Sequence, residues 1–218
     1  MEFGCGATLA KWSAGGAEVH ILVLTDGSKG TWDPHADVDA LVATRKREQQ
    51  EAADHLGAQV VHWGRAVDGE LRVDREGVFD VCELVRRIRP DVVLTHDPWL
   101  PFRVHPDHRA AGTLVVEAVV AARDPHFFVE QALEPHRPEE LLLFETEVVD
   151  HIESVRGFVA TKIDALLAHR SQWRSTMGIG DDPETETARF ARRVRVESAA
   201  AGARLGLAAA EAFHCIPL

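Results

Sequence analysis

The sequence predicts an α/β fold, a Rossmann-like, mostly parallel sheet with helices on both faces. Two observations carry this. Short β-branched apolar runs at 18–24, 59–63, 91–96 and 140–145 alternate with segments of helical period. The residues able to do chemistry gather in the loops after the first three runs, where open α/β sheets bind their ligands.

The elements follow in order. Residues 4–16, GCGATLAKWSAGG, read as a helix opened by small residues and closed by Gly15 and Gly16. EVHILVL at 18–24 is a buried strand ending in the turn TDGSKG. A helix over 37–57 ends on Gly57, a C-cap, and QVVHW at 59–63 is the second strand. The helix over 75–89 stops at Pro90, which cannot continue it. DVVLTH, 91–96, is a third strand, and a proline-studded loop leads into a helix over 107–123. ELLLFE at 140–145 is a fourth strand, and helices are expected over 154–170 and 187–212. A doubly wound fold normally opens with a strand feeding the first helix, and that strand is missing from this chain.

At 218 residues, 45% hydrophobic and 27% charged, the chain suits a single globular domain over 1–218. A net charge of −11 disfavours a nucleic-acid backbone as partner. No apolar run is long enough to cross a bilayer, and the first residues do not read as a secretory signal. Cys5, Cys82 and Cys215 are far apart, which argues against a disulfide framework and for buried thiols in a cytoplasmic protein. The Ala-rich C-terminal segment permits close helix packing within or between subunits, so a homo-oligomer stays open.

The loop after the third strand is the densest in chemistry, with His96, Asp97, His105, Asp107, His108 and Arg109 within fourteen positions. Pro106 suits the first turn of the next helix, and His105 and His108, three apart, project to one side of it. One imidazole can bind a metal while the other meets a developing oxyanion, with Asp107 within reach of its ring. A solvated helix start with incidental histidines is the plain alternative. A catalytic zinc wants about three protein ligands, and this loop offers one good one. His20 and His62 lie inside strands and read as core or face residues, and His214 as surface.

The segments EFGCGATLAKWSAGGAEVHILVLTDGSKG, Arg45–Glu48 before AADHLG, DGEL, RPDVVLTHDP and HPDHRAAG resemble the LmbE-like, or PIG-L, family of metal-dependent N-deacetylases. KIDALLAHRSQW and AAAEAF add to the resemblance, which covers almost the whole chain in order. It implies an LmbE-like fold and removal of acetyl from an N-acetylglucosamine-type amino sugar with the help of Zn2+ or another divalent metal. His108 would be a metal ligand, His105 the general acid and oxyanion stabiliser, and Asp107 the carboxylate that tunes it. Arg45 and Asp68 would contact sugar hydroxyls, and Lys29 would be a substrate contact. For Asp68 a turn role before Gly69 competes, and for Arg45 a solvated helix position.

The family's AHPDD motif, which supplies two further ligands and the general base, would end just before Met1. The resemblance therefore expects a protein start upstream of Met1, with a truncated chain unable to hold its metal as the alternative. Three other functions compete: an amidase of a thiol–sugar conjugate, a non-catalytic sugar-binding protein, and a nucleotide-binding domain. The last finds only GxG in GCGATL. Trp32, Trp99 and Trp173 are either sugar platforms or packed side chains.

Overall fold

The computed structural model describes residues 1–203 and 205–218, which divide into two compact units. The first comprises Met1–Asp68 and Ile152–Glu211, the second Gly69–His151 and Ala212–Leu218.

In the first unit, α1 (Glu2–Ala14) precedes β1 (His20–Thr25), α2 (Val38–Leu56) and β2 (Val60–Ala66). β1 and β2 pair in parallel, His20 opposite Val60, with a register shift between Val23 and Thr25. The Asp37 carboxylate caps α2 by accepting from Ala40 N at 3.0 Å. Gly57, at φ +70°, ends the helix in the left-handed cap its sequence position predicts. Later in this unit, α5 (Val159–Ala168) and α6 (Pro183–Ala203) enclose a core of Ile163, Leu166, Met177, Ile179, Phe190 and Val194.

A buried ion pair anchors α1. Lys162 Nζ donates to Glu211 Oε1 at 2.7 Å and to Phe3 O at 2.6 Å. The Glu211 carboxylate in turn accepts from Ala7 N at 3.1 Å and Thr8 N at 2.7 Å. Both side chains are under a tenth exposed, so removing one partner strands a desolvated charge. Lys162→Met is expected to cost about 3–5 kcal/mol in urea unfolding. A loss under about 1 kcal/mol, the worth of an exposed pair, would contradict this.

In the second unit, α3 (Arg75–Ile88) leads to β3 (Val92–His96), α4 (Pro106–Ala122) and β4 (Glu140–Phe144). β3 and β4 run parallel, with His96 opposite Phe144. β4 then pairs antiparallel with β6 (Ala210–Pro217), Phe144 opposite Phe213. Asp150 N donates to Phe213 O, which brings the start of β5 (His151–Ser154) to the far side of β6 in the order β3-β4-β6-β5.

The expectation of a mostly parallel sheet is therefore corrected: the described strands form a two-stranded and a four-stranded sheet, and β6 reverses direction. The expected helix over 187–212 is also corrected, since α6 stops at Ala203 and 210–217 is a strand. Arg204, inside that expected helix, lies outside the described residues. Alanines favour a helix locally, but pairing of residues 213–217 with β4, which buries Phe213, overrides that preference. Likewise the helix expected from residue 154 starts at Val159, after strand β5. Among the described residues, no helix is long and apolar enough to cross a membrane.

Candidate active site

The site residues chosen from sequence fall in both units, and each group has its own local framework. In the second unit, β3 delivers His96 to the carboxyl end of its sheet. Asp97 N then donates to Phe144 O at 3.1 Å, and the Asp97 carboxylate turns the loop by accepting from Trp99 N at 2.8 Å. Further along, Phe102 and Val104 are almost wholly exposed, while the Arg103 side chain between them points inward and is only 6% exposed.

His105 caps α4, its Nδ1 accepting from Asp107 N at 3.3 Å, and Pro106 opens the first turn. An accepting Nδ1 leaves the proton of the neutral ring on Nε2. Asp107 is buried beneath this turn, where its two carboxylate oxygens accept from Gly69 N at 2.6 Å and Leu71 N at 3.2 Å. Asp107 has a ligand atom within 4.8 Å of one on His105. Its direct hydrogen bonds, however, go to the DGEL loop.

His108 stacks between two imidazoles. Its ring lies 4.3 Å from His96 at 10° and 4.9 Å from His105 at 27°. Desolvation, helped by neighbouring His96, pushes its pKa down to about 4, so the ring is neutral at pH 7. Desolvation also lowers the pKa of His96, though the hydrogen bond to Glu145 opposes it.

Glu145 and Arg103 complete the cluster. Neither stands out in the sequence. Glu145 follows β4 directly, and the parallel register of β3 and β4 puts it beside His96, with Oε2 at 3.0 Å from His96 Nδ1. Its backbone is left-handed at φ +56°, an uncommon state for a residue with a Cβ. Arg103 Nη1 donates to Glu145 Oε2 at 2.6 Å, and Nη2 to Glu145 O at 3.2 Å. The hydrogen bond from His96, then that from Arg103, pulls the Glu145 pKa down to about 2.

His96, His108 and Glu145 each present a ligand atom, the three within 4.8 Å of one another, which makes a possible metal site. Two imidazoles and a carboxylate suit a borderline-soft divalent ion, and a neutral His108 is the form such an ion takes. The donor set therefore fits the metal that the resemblance implies.

In the first unit, Asp26 ends β1 and organises two loops. Its carboxylate Oδ1 accepts from Ser28 N at 2.9 Å and Asp68 N at 3.0 Å. Its pKa is lowered because these bonds, with Lys29 nearby, outweigh its desolvation. Arg45 reaches from α2 to donate to Gly27 O at 2.6 Å, with Nη1 3.9 Å from Asp68 Oδ2. A Cβ on Gly30 would fall 1.8 Å from Arg45 Nη1, so the turn must be glycine there to admit the guanidinium. Arg45 and Asp68 are thus brought together, and Lys29 sits exposed on the same turn. Trp173 is not a sugar platform: its Nε1 donates to Leu167 O and its ring packs on the core of α5 and α6. Trp32 and Trp99 are exposed.

Residues 1–119 match the family model described as PIG-L, GlcNAc-PI de-N-acetylase. The chain belongs to the PIG-L family. This PIG-L chain is 35% identical over 173 residues to a diacetylchitobiose deacetylase of Thermococcus kodakarensis, covering 78% of this chain and 65% of the relative. It is 29% identical over 152 residues to a 4-oxalmesaconate hydratase of Pseudomonas putida, covering 59% and 58%. Both curated relatives are therefore matched over less than two thirds of their own length. Among solved structures, an N,N'-diacetylchitobiose deacetylase from Pyrococcus horikoshii superposes with a TM-score of 0.88 at 31% identity. That match covers 99% of this chain and 79% of the other.

Proposed function

We propose that the protein is a metal-dependent hydrolase that removes the acetyl group from an N-acetylglucosamine-type amino sugar or its conjugate. Family membership and the similarity to a diacetylchitobiose deacetylase support the substrate class. The observation that carries the chemistry is His105 capping α4 through Nδ1, which keeps a proton on Nε2 next to His108.

In this reading His108 is a metal ligand, with His96 and Glu145 the neighbouring donors. A bound divalent ion, zinc by its donor preference, would polarise the amide carbonyl and lower the pKa of the attacking water. His105 Nε2–H donates to the oxygen that gains charge as the carbonyl carbon becomes tetrahedral, and the departing amine takes up the proton that the attacking water gives up. Asp107 fixes the 69–71 loop against α4 and holds His105 in place through the backbone cap. Arg45 and Asp68 take sugar hydroxyls, and Lys29 is a further substrate contact on the Gly27–Gly30 turn.

The test is incubation of the full-length protein with N-acetylglucosamine and N,N'-diacetylchitobiose, quantifying acetate and free amine together. Equal amounts of both support the reading. Neither product from any acetylated sugar, with turnover of 4-oxalmesaconate instead, would replace it with the hydratase chemistry of the Pseudomonas relative. His105→Gln is expected to lower kcat by about 10²–10³-fold, the usual worth of one donor to a developing oxyanion, with metal content intact. A drop of only a few-fold would remove His105 from that role.

A further inference from the structure

Asp26 joins two loops that lie 42 residues apart in the chain. Its backbone N donates to Ala66 O at 3.0 Å, just past the pairing of Thr25 with Ala66, and its Oδ1 accepts from Asp68 N at 3.0 Å. The same oxygen accepts from Ser28 N at 2.9 Å and so folds the turn that begins at Gly27. Gly27, at φ +71°, offers its carbonyl to Arg45 Nη1 at 2.6 Å. A Cβ there would fall 2.8 Å from Arg45 Cζ, so the turn and the guanidinium are fitted to each other. One carboxylate thus fixes the backbone on both sides of the Arg45–Asp68 pair.

That pair is held open. Arg45 Nη1 stands 3.9 Å from Asp68 Oδ2, about 1 Å beyond a charge-assisted hydrogen bond, although each side chain is less than a fifth exposed. Opposite charges sheltered from water attract strongly, so their anchors set this separation. A hydroxyl oxygen about 2.8 Å from each atom spans the gap, accepting from Arg45 and donating to Asp68.

We propose that Asp26 is the positioning residue of the sugar side of the site, holding Arg45 and Asp68 one hydroxyl apart. This rests on the deacetylase reading above, in which those two residues take sugar hydroxyls. Without the Asp26 carboxylate, the Gly27 turn and the Asp68 loop lose their common anchor. The two charges then close into a direct pair, which an incoming hydroxyl has to break. The sugar is held less well in the ground state and the transition state alike, so KM rises while kcat holds.

The test is steady-state hydrolysis, by the full-length protein, of N-acetylglucosamine and of deoxy derivatives that each lack one ring hydroxyl. In wild type, loss of the bridging hydroxyl should raise KM about tenfold, the worth of a hydrogen bond to a charged group. Asp26→Ala should raise KM for the parent sugar by about the same factor with kcat little changed, and its KM should no longer depend on that hydroxyl. Asp26→Asn keeps an accepting oxygen and should stay near wild type. Asp26→Ser, with a shorter acceptor, should shift KM the same way to a lesser degree, and serves if the alanine variant does not fold. The role is overturned if Asp26→Ala lowers kcat and leaves KM alone, if it still discriminates against the deoxy sugar as wild type does, or if Asp26→Asn is damaged equally. It is also overturned if wild type hydrolyses the parent and every deoxy sugar alike. If wild type releases acetate from no N-acetylated sugar, the deacetylase reading itself fails and takes this proposal with it.

Discussion

His108→Ala is expected to abolish metal retention and, with it, amide hydrolysis. Even losing a group that only hydrogen-bonds a metal ligand costs about 10–100-fold in affinity, and removing a ligand at the centre of the cluster should exceed that. His108 lies between the other two imidazoles of the loop, so its loss separates His96 and Glu145 from the catalytic turn at His105. Metal content after gel filtration, read by elemental mass spectrometry, should fall from one equivalent to background. Thermal melts should show the variant folded, because the ring is not part of the buried core. Retention of a full equivalent would remove His108 from the ligand set.

The second large effect is on stability and lies away from the site. Arg86, 4% exposed on α3, donates to Ala121 O, Ala122 O, Asp124 O, Phe127 O and Phe128 O, and to Gln131 Oε1. These groups close the C-terminal end of α4 and the turn after it, where helix carbonyls lack intrahelical partners and the dipole favours a cation. All six acceptors are neutral oxygens, so carbonyl dipoles stabilise the buried charge. Arg86→Leu strands them in an apolar interior and is expected to cost about 3–5 kcal/mol in urea unfolding. Arg86→Lys should lose a large part of that, because one ammonium cannot span six acceptors in a planar fan. A change below about 1 kcal/mol for the leucine variant would contradict this account of the α3–α4 pairing.

The fold is legible where pattern and punctuation agree. The first three strands and the helices ending at Gly57 and Pro90 lie within a few residues of their sequence positions, since β-branched runs, caps and breakers act locally. The last strand is not legible. AAAEAF has helical preference, and only its pairing between β4 and β5 makes it a strand. Its antiparallel direction depends on a chain reversal that no local residue encodes.

The candidate site divides the same way. His105, Asp107 and His108 stand out because HPDH combines a helix start, a proline at its first position and three titratable groups. Arg103 does not, since a basic residue in a proline-studded loop reads as solvated, yet its side chain turns inward between two exposed apolar ones. Glu145 is hidden because its position beside His96 depends on parallel register across 49 residues. One signal was available: a carboxylate one residue past an apolar strand that could neighbour DVVLTH. Asp26 is similar, ending β1 in a turn whose partner loop lies beyond an intervening helix and strand.

The most direct test of the central claim is metal reconstitution of the full-length protein during hydrolysis of N,N'-diacetylchitobiose. After exhaustive chelation, acetate release should stop. On adding Zn2+ it should return in proportion to the metal and level off at one equivalent per chain. Undiminished acetate release by the chelated protein would contradict a metal-dependent deacetylase.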